Sequence, residues 1–264
     1  MPGKLSTLDM KRIPKHIGII MDGNRRWAAQ NGLKAVQGHE AGVDALTEIV
    51  DHCLALGVKT LTVYALSTEN WRKRAKEEVR GIFGLLIRLV NTKKEEYAEK
   101  GIKLAVLGNF QAFPRKVAKA IEVMLQIVKR NERLKLNIAL NYGGRDEIIR
   151  AIQQMVKDGV PAEKITEESF GKYLYTSGEA DPDLLIRTGG EKRLSNFLLW
   201  QLSYSELYFT ETLWPDFSPK KLDEAIVDFQ KRERRFGGGQ FQTYTNKLQK
   251  IFKPNIVSRI LPSQ

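Results

Sequence analysis

Asp22, Asn24, Arg25 and Arg26 follow one another within five residues, directly after the apolar run 17–21. That run has the length and β-branched content of a buried parallel strand. Trp27-Ala28-Ala29-Gln30 then reads as the start of a helix. A strand C-terminus feeding a helix N-terminus is where open α/β sheets bind ligands. Free backbone N–H groups and the helix dipole favour a phosphate there, and two guanidinium groups add positive charge. A lone carboxylate is a poor phosphate ligand. It suits a divalent metal held against a diphosphate, because Mg²⁺ takes one or two carboxylates and fills its other positions with phosphate and water. Asp22 alone also reads as a helix cap; the donors beside it favour the metal.

A second group has the same character. Arg187, Arg193 and Ser195 flank Gly189-Gly190, which permits a tight backbone path. Guanidinium forks match phosphate oxygens bidentately. Ser67 and Asn70 end another strand pattern and supply hydrogen bonds at the same sheet edge. His39 enters a helix, either as a polar cap or as an anion contact. Trp71 covers the site or belongs to the core. Cys53 and its neighbour His52 lack further ligands for zinc, so Cys53 reads as core.

The elements that must carry these residues alternate. Strand patterns cover 17–21, 60–65, 103–107, 136–141, 184–187 and 206–209; helical patterns cover 39–56, 76–100, 113–130, 145–157, 167–174 and 219–235. Such alternation predicts an α/β fold, one domain with a mostly parallel six-stranded sheet flanked by helices. The helix over 76–100 is apolar on nearly all sides of its middle (Ile82, Phe83, Leu85, Leu86, Ile87, Leu89, Val90), which means burial on more than one face.

The segment from His16 to Ala28 closely resembles the first signature of the cis-prenyltransferases, the undecaprenyl diphosphate synthase family. Ser67-Thr68-Glu69-Asn70-Trp71, Asn141-Tyr142-Gly143-Gly144-Arg145, the run from Asp183 to Phe197, Glu206-Leu207-Tyr208-Phe209, Trp214-Pro215-Asp216-Phe217 and Arg232 to Gly238 resemble its further signatures, in the family's order. The resemblance implies an enzyme with a hydrophobic tunnel that adds isopentenyl diphosphate units to an allylic diphosphate such as farnesyl diphosphate. The implied product would be a cis-polyprenyl diphosphate such as undecaprenyl diphosphate, a lipid carrier for glycan synthesis. It implies Asp22 and Asn70 as catalytic residues, and Mg²⁺ on Asp22 and Glu206. Gly23, Asn24, Arg25, Arg26, Trp27, His39, Ser67, Thr68, Glu69 and Trp71 would bind the allylic diphosphate. Arg187, Arg193 and Ser195 would bind isopentenyl diphosphate. It also implies a homodimer, with the Arg234–Gly238 segment reaching the partner, and one face of the 76–100 helix lining the tunnel. Its floor would lie in 82–90 and at Leu134 or Leu136.

The chain departs from the family pattern in three places. The family has x-Arg-Pro after the tryptophan; here Arg72-Lys73-Arg74-Ala75 follows, and Lys73 and Arg74 both qualify as the active-site cation. Ala35 stands where an arginine is common, with Lys34 beside it. Lys192 stands where some members carry histidine. Aspartate-rich Asp-Asp-x-x-Asp clusters and a P-loop are both absent, which speaks against an all-trans prenyl synthase and against nucleotide hydrolysis.

Forty-three basic residues against 31 acidic among 264 give a net charge of +12. That excess suits an anionic partner. Nucleic acid is disfavoured, because no stripe of aromatics interleaves with the basic residues. A lone cysteine, no signal-peptide pattern and no apolar run near the roughly 20 residues of a membrane span predict a cytoplasmic protein. Residues 1–15 read as a basic segment, 16–239 as the enzyme domain and 240–264 as a tail. The tail holds four basic and no acidic residues. Phe241, Tyr244, Leu248, Ile251 and Phe252 recur at helical spacing, so it reads as an amphipathic helix for the inner membrane face or for packing on the protein.

Overall fold

The computed structural model of the chain describes residues 8–127 and 133–232. Six strands form one sheet: β1 (His16–Ile20), β2 (Thr60–Ser67), β3 (Ile102–Leu107), β4 (Leu134–Tyr142), β5 (Leu184–Arg187) and β6 (Glu206–Phe209). Their order is β3-β4-β2-β1-β5-β6, and every pairing is parallel. All six predicted strands are present. All five residues of β1 are buried, which is why its sequence is a continuous apolar run rather than an alternating one.

The helices are α1 (Asn24–Gln30), α2 (Ala35–Leu56), α3 (Thr68–Lys73), α4 (Lys76–Glu99), α5 (Arg115–Ile127), α6 (Gly144–Lys157), α7 (Glu167–Gly171) and α8 (Pro219–Lys231). α2 begins about a turn before its predicted start, because Gln37 Oε1 accepts from Lys34 N at 3.0 Å and closes the first turn. Ala45, Leu46, Ile49, Val50 and Cys53 form its buried stripe, and Gly57 ends it in the left-handed region. Cys53 is fully buried, and burial pushes its thiol up to about 12, as a core residue requires. One core joins α2, α4, α5 and α8 to one face of the sheet; a smaller cluster around Tyr64, Tyr142 and Phe197 fills the other.

Contacts divide the chain into Met1–Gln230 and Lys231–Gln264. Only Lys231 and Arg232 of the second unit are described, so the predicted tail and the Arg234–Gly238 segment lie outside the described residues. Among the described residues no helix is long and apolar enough to cross a membrane.

Candidate active site

β1 lies between β2 and β5, so the loops leaving these three strands share one edge of the sheet. Ile20 is in register with Tyr64 of β2 and with Arg187 of β5. This row of three forms the back of a cleft of about 740 Å³. Asp22, Gly23, Asn24, Arg25, Arg26, His39, Ser67, Glu69, Asn70, Arg187, Arg193 and Ser195 line it. The two anion sites expected from the sequence are therefore one cavity.

The turn after β1 is fixed from several sides. The Asp22 carbonyl accepts from Thr188 Oγ1 at 2.7 Å and from Trp214 N at 3.0 Å. Gly23 has φ 118°, and a Cβ there would stand 2.9 Å from Leu213 Cα, so only glycine fits. The Asp22 carboxylate meets two guanidinium groups: Arg26 Nη2 at 3.2 Å and Arg187 Nη2 at 2.9 Å. Arg26 also donates through Nη1 to the Gly189 carbonyl at 2.7 Å. Arg187 is 3% exposed and donates through Nη1 to Ser195 Oγ at 2.7 Å and to the Arg193 carbonyl. Arg193 pairs with Glu191. Ser195, Asn196 and Leu198 have φ of 49°, 63° and 41°, a region that costs non-glycine residues of order 1–3 kcal/mol each.

Across the cleft, Ser67 caps α3 by accepting from Asn70 N at 2.9 Å. The two candidate cations after Trp71 separate clearly. Lys73 sits on the surface, paired with Glu69 at 2.7 Å. Arg74 lines the cleft and donates to Glu78 Oε1 at 2.8 Å, while His39 Nε2 stands 3.0 Å from the same oxygen. Burial lowers the His39 pKa, against the raising effect of that hydrogen bond. Burial by itself would raise Glu78, but the His39 hydrogen bond and the Arg74 and Arg25 charges hold it below its ordinary value.

Four expected residues lie elsewhere. Trp27 turns its indole N–H to Asp216 Oδ1 at 2.8 Å. Trp71 packs edge-on against Phe113, ring centres 5.2 Å apart, beside the main core. Thr68 faces Gly143, with its hydroxyl buried. Glu206 registers with Leu184, which registers with Ile17. It therefore sits at the N-terminal end of the strands, opposite the edge that carries Asp22, and this chain does not bring the two acids together.

Tyr64, Ala65 and Arg74 also line the cleft. A register shift at Ala65 bulges β2, with Tyr64 opposite Ala139 and Leu66 opposite Leu140. A bulge re-aims backbone at a strand end, and no residue type in 60–65 announces it.

An apolar cavity of about 90 Å³ adjoins the cleft and shares Met21, Asn24, His39 and Ala65 with it. Ile82, Phe83, Leu85, Leu86 and Leu89 of α4 face Leu66, Ile138 and Leu140 of the sheet across it. Leu134 and Leu136 are buried in the core instead and do not line it.

The sequence profile of a family described as putative undecaprenyl diphosphate synthase matches residues 20–237. The chain belongs to that family. Curated relatives of this prenyltransferase include the isoprenyl transferase of Neisseria meningitidis serogroup A, 48% identical over 88% of this chain and 92% of that protein. The isoprenyl transferase of Aquifex aeolicus is 45% identical over 86% of this chain and 96% of its own. Among solved structures, lavandulyl diphosphate synthase from Lavandula x intermedia, in complex with dimethylallyl diphosphate, superposes with a TM-score of 0.82 at 34% identity, covering 86% of this chain and all of that one. A probable undecaprenyl diphosphate synthase from Campylobacter jejuni gives 0.72 at 34% identity, covering 85% of this chain and 99% of its own.

Asp22 is one carboxylate among cationic donors, and no cluster of three metal-ligating side chains occurs among the described residues. That donor set fits a metal shared with a bound diphosphate and does not suit one held by protein alone.

Proposed function

We propose that this cleft joins isopentenyl diphosphate to an allylic diphosphate, farnesyl diphosphate or a similar primer, to build a cis-polyprenyl diphosphate of the undecaprenyl class. The observation that carries the reading is the continuity of a cationic cleft with an apolar cavity at Met21, Asn24, His39 and Ala65. An allylic diphosphate has that same division between head and tail.

In this reading Asn24, Arg25, Arg26, His39 and Arg74 hold the allylic diphosphate. The buried amide oxygen of Asn24 has no hydrogen-bond partner in the protein. Arg187, Arg193 and Ser195 hold the second diphosphate and fix its double bond in attacking geometry. The allylic C–O bond breaks, the new C–C bond forms at that carbon, and a proton leaves the added unit. Cationic donors set in place before reaction stabilise the charge that grows on the departing diphosphate. Asp22 would hold Mg²⁺, which would supply further stabilisation of that charge. The tail gains about 0.8 kcal/mol for each CH₂ it buries.

Assembly as a homodimer belongs to the same proposal, as does peripheral membrane contact through 240–264. The test of the reaction is incubation of purified protein with Mg²⁺, farnesyl diphosphate and labelled isopentenyl diphosphate, followed by product sizing. Chain-elongated product dependent on Mg²⁺ supports the reading; unchanged substrates contradict it.

A further inference from the structure

The helix α6 begins without a side-chain cap of its own. Its N-cap is Gly143, which offers none. The missing acceptors come from a residue far along the chain. The Asn196 carbonyl accepts from Gly144 N at 2.7 Å, and Asn196 Oδ1 accepts from Arg145 N at 2.9 Å. One residue thus satisfies two of the helix's orphan donors, as a good cap does. A Cβ on Gly143 would come within 2.8 Å of Asn196 Nδ2, so the glycine leaves room for it.

Asn196 is also the neighbour of Ser195, whose hydroxyl accepts from Arg187. Ser195 and Asn196 both sit in the left-handed region. Asparagine tolerates that region and serine does not, so something outside the loop must hold Ser195 there. On the far side, Phe197 is fully buried and stacks on Tyr64, ring centres 4.6 Å apart. The loop is therefore pinned by a helix end at 196 and by the core at 197.

We propose that Asn196 is a positioning residue for the second diphosphate: by capping α6 it holds the Ser195 hydroxyl at Arg187 and the cleft. This rests on the assignment of Arg187, Arg193 and Ser195 to isopentenyl diphosphate. Asn196 itself is exposed, so truncating it opens no cavity in the core.

The test is steady-state kinetics of Asn196→Ala, Asn196→Gly and Arg193→Ala, with thermal melts and hydrogen exchange at the Arg145 amide. Asn196→Ala raises the KM for isopentenyl diphosphate on the order of 10-fold, the worth of a lost cap, and leaves that of the allylic substrate within about twofold. Asn196→Gly keeps the left-handed backbone and loses only the side-chain acceptor, so its effect is smaller. It carries the test if Asn196→Ala fails to fold. Both variants speed exchange at Arg145. If Arg193→Ala raises the KM for isopentenyl diphosphate and the Asn196 variants do not, the positioning role is overturned. Equal effects on both substrates overturn it too, since they indicate a merely structural residue. If Arg193→Ala also leaves that KM unchanged, the site assignment fails and the proposal with it.

Discussion

Arg187 places Nη2 2.9 Å from Asp22 Oδ2 and Nη1 2.7 Å from Ser195 Oγ. One buried guanidinium therefore ties the carboxylate beyond β1 to the loop beyond β5. The sequence presents two anion sites 165 residues apart; the parallel pairing of β1 with β5 makes them neighbours. The arginine stays oriented toward the cleft because its partners are fixed before any ligand arrives.

The division of labour in that cleft is measurable. Arg193 is paired with Glu191 in the loop after β5. Arg193→Ala is expected to raise the KM for isopentenyl diphosphate about 10–100-fold, with little change for the allylic substrate. Initial-rate kinetics with each substrate varied in turn checks this.

Arg74 and Lys73 make a paired comparison. Arg74 lines the cleft beside His39, and Lys73 is paired with Glu69 on the surface. Arg74→Ala should lower kcat/KM for the allylic substrate on the order of 10²-fold. Lys73→Ala should leave it within about twofold, because an exposed ion pair contributes little. The two variants assayed side by side decide the point.

Much of this was legible beforehand. The continuous apolar runs of β1 and β5 announced buried parallel strands, and the polar residues just beyond them announced the working edge. What stayed hidden depends on geometry that residue types do not encode. Trp71 suits a site cover or the core by type, and Phe113 takes it; Trp27, implied at the allylic diphosphate by the resemblance, turns its indole to Asp216. Glu206 suits a metal by charge, yet register puts it at the opposite sheet end. The bulge at Ala65 and the cap from Asn196 depend on distant chain segments.

The apolar cavity makes a prediction about product length. Leu86 and Leu89 face it, and Leu136 does not. Leu86→Ala and Leu89→Ala should shift products to longer chains. Leu136→Ala should cost about 2–5 kcal/mol of stability and leave the distribution unchanged. Thin-layer or mass-spectrometric sizing, with denaturation curves, separates the two effects.

A pH dependence follows from His16, which is 2% exposed. Thr62 Oγ1 accepts from Asn137 Nδ2 at 3.1 Å and stands 2.7 Å from His16 Nε2. Nδ1 carries the ring proton to the Ala180 carbonyl, also 2.7 Å away. With Nδ1–H on that carbonyl, the neutral ring leaves Nε2 to accept from the Thr62 hydroxyl. Burial lowers the His16 pKa from 6.5. Above pH 6.5 neither folded nor unfolded chain binds this proton, and the stabilisation is whole. Below it the unfolded chain protonates first, so stability falls as pH falls through the folded pKa. Melting curves between pH 7.5 and 5 should show a steeper loss in the wild type than in His16→Asn; parallel slopes would contradict the assignment.

Asp22 is proposed to serve departure of the allylic diphosphate. The direct measurement is rapid-quench single turnover, mixing enzyme and allylic diphosphate in Mg²⁺ with labelled isopentenyl diphosphate. Asp22→Ala should form the first elongated product on the order of 10³-fold more slowly, with an unchanged circular-dichroism spectrum and allylic substrate still bound. A folded Asp22→Ala enzyme that elongates within a few-fold of the wild-type rate would contradict the account.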